Sequence, residues 1–196
     1  VLDDLKAAKD GLVAGKGIRN LASKAQSEAS GNTSDLAALN DGKEPADSTD
    51  NANGVWHNKE SQDAGGTVRA AGDGWVSYSW DDTRILSSTE AYYYSNETEG
   101  IKMPQSVKFE YKTSEGGWAE VPNAEGKGCE SDKYNTTTLG NIQTTGLRMT
   151  MEPQTAAEGS PANYVGVIEW KVNGISVAEL DKTKLTAAIA EAEKIT

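Results

Sequence analysis

An all-β sandwich is the fold class this sequence predicts, and three observations predict it. The five Trp, seven Tyr and one Phe, thirteen aromatic residues in all, lie between Trp56 and Trp170. Within that span, short runs rich in β-branched and aromatic residues recur between clusters of Gly, Asn, Asp and Ser, the punctuation of strands and turns. Two runs alternate strictly: Val107, Phe109 and Tyr111 interleave with Lys108, Glu110 and Lys112, and Leu147, Met149 and Met151 with Arg148, Thr150 and Glu152. One face of each is therefore buried.

The elements follow in order. Near the N-terminus Leu2, Leu5, Ala8, Leu12 and Val13 recur at helical spacing until Gly11, Gly15 and Gly17 break the pattern. From about 30 to 73 turn-forming residues dominate, which suits long loops draped over one end of a sandwich. Strands are predicted at 74–80, 84–94, 105–112, 117–122, 143–152 and 163–173, forming two packed antiparallel sheets. At the C-terminus Asp181 caps a helix with Leu185, Ala188, Ile189, Ala192 and Ile195 on one stripe. Each terminal stripe is too short to be stable alone. The two helices either pack on the middle domain and each other or are parts of neighbouring helical modules.

Composition narrows the function. The 196 residues have room for one domain and short extras. The formal charge of −11 falls wholly within residues 17–180, because the acids and bases of 1–16 and of 181–196 balance. Such a core repels phosphate backbones and anionic membrane surfaces, so nucleic acid and membrane are not expected partners. No apolar run is long enough to span a bilayer. One cysteine, Cys129, excludes an internal disulfide and a cysteine zinc cluster, and one histidine, His57, excludes a site needing two. No G-x-S-x-G, H-E-x-x-H, phosphate-binding glycine loop or G-x-G-x-x-G occurs, so catalysis has no anchor.

Four stretches carry candidate chemistry. The segment 39–50, Leu-Asn-Asp-Gly-Lys-Glu-Pro-Ala-Asp-Ser-Thr-Asp, gathers hard oxygen donors of the kind calcium takes, without the EF-hand order of ligands. Glu169 interrupts the apolar strand 164–172; if buried it needs a cation or donors, and if the strand is an edge it faces water. Trp56 beside His57 can stack on a sugar face and bond its hydroxyls, or Trp56 can fill the core while His57 faces water. In Tyr92-Tyr93-Tyr94, Tyr93 points opposite to its neighbours, so either a tyrosine leaves the core or both faces are covered.

An ordered set of segments then resembles a known family. It comprises 20–22 (Asn-Leu-Ala), 36–42 (Leu-Ala-Ala-Leu-Asn-Asp-Gly), 54–56 (Gly-Val-Trp), 75–80 (Trp-Val-Ser-Tyr-Ser-Trp), 100–106 (Gly-Ile-Lys-Met-Pro-Gln-Ser) and 166–172 (Gly-Val-Ile-Glu-Trp-Lys-Val). Over residues 17–175 the chain resembles discoidin-like domains, the group of coagulation-factor type C domains and family-32 carbohydrate-binding modules of bacterial glycoside hydrolases. The resemblance implies a jelly-roll β-sandwich with short terminal α-helices outside it, a structural calcium, and a shallow sugar site on the loops at one end. It places calcium ligands at Asp41 and Glu169, with Ala38, Glu44, Ser48 and Thr49 as further carbonyl or hydroxyl donors. Position and chemistry suggest Trp56, His57, Tyr94, Asn96, Lys102, Tyr134 and Asn135 as sugar contacts. Residues 1–15 and 181–196 resemble the closing and opening helices of FIVAR modules. The expected protein is a non-catalytic glycan-binding module, monomeric within a longer secreted or cell-wall-associated chain. The alternative is a protein-interaction or spacer domain.

Overall fold

The computed structural model describes residues 17–30, 35–59, 74–158 and 163–177. The terminal helices expected in 1–15 and 181–196 lie outside the described residues.

Eight strands run antiparallel: β1 (Arg19–Asn20), β2 (Gln26–Ala29), β3 (Trp56–His57), β4 (Gly74–Tyr94), β5 (Ser106–Lys112), β6 (Trp118–Glu120), β7 (Asn135–Glu152) and β8 (Gly166–Ser176). Three short 3-10 turns, Ala22–Lys24, Leu36–Asn40 and Glu97–Glu99, are the only helical elements among the described residues. Hydrogen bonding follows the path β1-β8-β4-β7-β5-β6, with β2 added to β4 and β3 to β8.

Two long strands build both layers of the sandwich. β4 changes partners at a register shift between Ser79 and Arg84. Before the shift it lies between β2 and the second half of β7, and β5 and β6 extend that layer. After it, β4 lies between β8 and the first half of β7. The runs 74–80 and 84–94, which read as two strands, are thus one continuous strand bent across the sandwich. The segment 135–142 also belongs to β7, although its Thr-rich sequence carries no apolar alternation strong enough to mark a strand. β3 lies where loops are expected, and β1 and β2 where no strand is predicted, because two to four residues carry no readable period.

Between the layers Val76, Tyr78, Phe109, Leu147, Met149 and Met151 meet Trp170, Val172, Tyr93 and Leu86 in one core, as the alternation of β5 and β7 requires. Tyr78 and Trp170 stack across it, with ring centroids 4.4 Å apart and planes 15° from parallel. The Tyr78 hydroxyl lies 2.8 Å from the Leu39 carbonyl and 3.0 Å from that of Trp170, so its single proton is shared between them. Burial first, then the nearby Glu169 charge, pushes this phenol well above its usual range, keeping it a donor.

A second, smaller cluster of Val55, Tyr92, Tyr94, Ile101, Tyr164 and Ile168 covers the other face of β4 at its C-terminal end. Both faces of the tyrosine run are therefore covered. The extra residue Ile168 enters it through a register shift between Tyr92 and Tyr93.

Trp170→Ala is expected to lower stability by about 3–5 kcal/mol through cavity formation. Tyr78→Phe, which keeps the ring and leaves two buried carbonyls without their donor, is expected to lose about 1–3 kcal/mol. Urea unfolding with matched m-values checks both.

Candidate functional site

The C-terminal end of β4, the start of β8 and the loops at 35–55, 95–105 and 130–134 converge on one end of the sandwich. Two groups of residues lie there.

The first surrounds Glu169. β8 is an inner strand, flanked by β4 on one side and by β1 and β3 on the other. The loop through Leu39 is tied to this strand by the Tyr78 hydroxyl and lies beside it, so an acid that would otherwise meet water is closed over. Glu169 is 1% exposed, and among the described residues neither carboxylate oxygen has a hydrogen bond of good geometry. Burial first and the Asp41 charge second push its carboxyl up to about 7, while the Gly42 amide and Lys171 pull weakly the other way. Asp41 follows the 3-10 turn Leu36–Asn40 and is held by Lys43, whose backbone amide bonds one carboxylate oxygen at 2.9 Å and whose ammonium lies 3.2 Å from the other. Gly42 takes φ +75°, the left-handed turn that lets the chain reverse beneath Asp41.

A donorless carboxylate beside a second carboxylate fits a divalent cation. Among the described residues no group of three or more His, Cys, Asp or Glu side chains gathers. Asp41 and Glu169 are the residues that could serve a cation here as charged ligands. Ala38 is buried on the same turn.

The side chains of the other residues expected as carbonyl or hydroxyl donors, Glu44, Ser48 and Thr49, are engaged elsewhere. The Glu44 carboxylate binds the Lys171 ammonium at 2.6 Å, and that ammonium also sits 3.9 Å above the Tyr134 ring. The Ser48 hydroxyl accepts from the Asp132 amide at 2.8 Å, the Ser48 amide donates to the Asp132 carboxylate at 2.9 Å, and the Ser48 carbonyl accepts from the Ser95 amide at 2.7 Å. The Thr49 hydroxyl donates to Asp47 at 2.7 Å within its own turn.

The second group surrounds Gly166. His57 and Tyr94 pair with it from opposite sides. Asn96 donates to the Tyr94 hydroxyl and to Glu99, both at 3.3 Å, and Glu99 pairs with Lys59 at 3.3 Å. Lys102 reaches Glu97 at 3.8 Å. His57 is half-buried, and its Nδ1 has no partner among the described residues.

Three expected sugar contacts are corrected. Trp56 is 1% exposed in the main core, because β3 pairs with β8 and turns the indole inward. The Tyr94 ring is buried in the smaller cluster. Asn135 is buried and consumed in closing its loop: its oxygen accepts from the Glu130 amide at 2.8 Å, and its amide donates to the Glu130 carbonyl at 2.8 Å. Tyr134 lies apart from the Gly166 group, edge-on to Tyr92 at 5.1 Å and beneath Lys171. Its phenol is driven upward by burial and by Glu44. Glu97 and Glu99, a carboxylate pair legible in the sequence, are surface groups paired with lysines. Lys59 was not singled out by pattern; only its place two residues after His57 signals it.

These features define a β-sandwich module with a polar loop end and a carboxylate pocket beneath it. Solved structures with the same fold are carbohydrate-binding modules. A family-32 module from Clostridium perfringens in complex with galactose matches with a TM-score of 0.56 at 18% identity, over 80% of this chain and 98% of that one. Another C. perfringens module, in complex with GalNAc-β-1,3-galactose, matches at 0.53 and 13% identity, over 79% and 99%. A fucose-binding module from Streptococcus pneumoniae matches at 0.51 and 14% identity, over 79% and 96%. At these identities the likeness is one of fold. No protein-family profile and no curated protein matches the chain.

The Glu169 carboxyl titrates near 4.5 when unfolded and near 7 when folded. Between those values the native state holds a proton that the unfolded state has released, so stability falls as pH rises. Metal-free protein is expected to lose on the order of 3 kcal/mol between pH 4.5 and pH 8 from this group. Glu169→Gln is expected to abolish that loss, and in EDTA at pH 8 to melt above the unaltered protein. Thermal melts across pH in EDTA check both.

Proposed function

We propose that this chain is a non-catalytic carbohydrate-binding module that tethers a secreted, multimodular bacterial glycoside hydrolase to glycan. In this reading residues 1–15 and 181–196 are FIVAR-like spacers, and the module works outside the cell or at the cell wall. The observation that carries it is the cluster around Gly166: His57, Asn96, Glu99 and Lys59 present partly exposed polar groups from strand ends and short turns rather than from a mobile lid. Such groups, fixed by packing, bond sugar hydroxyls at low ordering cost. The same fold serves galactose in one solved module and GalNAc-β-1,3-galactose in another, which supports the ligand class. A shallow site of this kind binds at roughly micromolar to millimolar Kd, and linkage to a catalytic module turns weak affinity into local substrate concentration.

Calcium is the cation we assign to Asp41 and Glu169. Its charge would offset a buried carboxylate pair, and it would hold the loop of Ala38–Asp41 against β8 without touching sugar. Saturating calcium is expected to raise the melting temperature, and EDTA to reverse the rise; an unchanged melt with no bound metal by elemental analysis overturns the assignment.

One observation favours a second reading, a protein-interaction or spacer domain: Trp56, Tyr94 and Asn135 are withdrawn into the structure, leaving the loop end with few stacking rings. A glycan array with the full chain in calcium, repeated in EDTA, separates the two. Binding to a defined glycan class, weakened about tenfold or more by His57→Ala, is the expected result. A blank array on folded, calcium-loaded protein selects the spacer.

A further inference from the structure

The outer face of the layer β2-β4-β7-β5-β6 carries an arrangement that neither the core nor the loop end explains. Trp75 on β4 and Trp118 on β6 are both half-buried, and the Arg148 guanidinium on β7 lies over each, 5.8 Å and 4.7 Å from the ring centroids. Register accounts for the geometry. Arg148 pairs with Ser77 on one side and Glu110 on the other, Trp75 stands one row away beside Thr150, and Trp118 pairs with Lys112. The three groups form a diagonal across the sheet. At Gly146 the face has no side chain, and a Cβ there would come within 3.3 Å of the Trp118 ring, so the edge of the indole reaches over the strand.

We propose that this face is a second carbohydrate-binding surface, on which a neutral oligosaccharide lies across Trp75 and Trp118 and bonds Arg148 between them. It extends the glycan-binding reading above and uses none of the loop-end residues.

Three features select that ligand chemistry. Two indoles on one sheet offer flat apolar area, suited to the C–H face of a pyranose ring, at little conformational cost. Arg148 has five N–H donors, and the Nε and Nη2 bonds to Glu110, both 2.9 Å, commit only two of them. With a side chain 24% exposed, the remaining donors face hydroxyl acceptors. The guanidinium is already ion-paired: Glu110 accepts from Arg148 and is shared with Lys108, 3.4 Å away. Burial raises the Glu110 carboxyl, but Arg148 and Lys108 outweigh it and hold the group below its usual range, ionised at neutral pH. A polyanion would have to compete with Glu110 for the guanidinium and would meet a chain of net charge −11. A neutral, hydroxyl-rich chain meets neither obstacle.

The test is an NMR titration of the full chain, following the Trp indole N–H resonances with hexasaccharides of cellulose, chitin, xylan and β-1,4-galactan at up to about 5 mM, the weak range expected for such a face. Trp80 and Trp170 are internal references, because their indoles donate to the Leu21 carbonyl and the Thr89 hydroxyl inside the fold. The expected result is a saturable shift of Trp75 and Trp118 with at least one hexasaccharide, without movement of Trp80 or Trp170. That shift persists in His57→Ala and weakens about tenfold in Trp118→Ala. No shift of Trp75 and Trp118 with any of the four overturns the proposal. So do shifts confined to the backbone amides of 95–102, read in the same spectra, which would leave the loop-end reading standing alone. If Trp118→Ala does not fold, the titration of the unaltered chain decides.

Discussion

The contact between Tyr78 and Trp170 is the constraint on which the rest of the module depends. Its stacked rings join the two layers, and its hydroxyl reaches past the core to hold the Leu39 carbonyl beside the Trp170 carbonyl. Core packing and placement of the loop end are therefore one event. The turn that carries Ala38 and Asp41 lies where it does because a core tyrosine has a polar end that must find acceptors.

That placement creates the cost at Glu169. A carboxylate on an inner strand, covered by the turn and left without donors, is tolerated when protonated or when a cation compensates it. A cation, as proposed above, would offset both neighbouring acids at once. The remainder of the loop is secured independently. The paired hydrogen bonds between Ser48 and Asp132, and the Ser48 carbonyl's bond to Ser95, lock it to the adjoining loop and to the end of β4. The carboxylate pocket and the Gly166 group thus share a rigid frame, joined through Ser95 and Asn96.

The aromatic residues are divided between roles in a way that bears on recognition. Trp56, Tyr93 and Tyr94 are spent on packing, whereas Trp75 and Trp118 remain on a sheet face with Arg148 between them. In the proposed glycan-binding reading, recognition at the loop end would rest on polar groups, while the stacking capacity lies on the sheet. Cys129 takes no part: it is a half-buried free thiol whose pKa burial raises, which lowers its reactivity.

Alternation in Val107–Lys112 and Leu147–Glu152 determined by itself that these are strands with one buried face, since a period of two has no other stable use. The resemblance of the ordered segments carried the sandwich and singled out Asp41 with Glu169. Sequence also posed, without answering, whether Trp56 is core and whether both sides of Tyr92–Tyr94 are covered. Those answers required pairing across long separations: β3 on β8, Tyr78 on the Trp170 carbonyl 92 residues away, Ser48 on Asp132 84 residues away. The exposure of a ring, and the partners of a hydroxyl, depend on which distant strand or loop covers it. Local pattern holds no information on that cover, so the roles of Ser48, Asn135, Tyr94 and Trp118 were decided by tertiary structure alone.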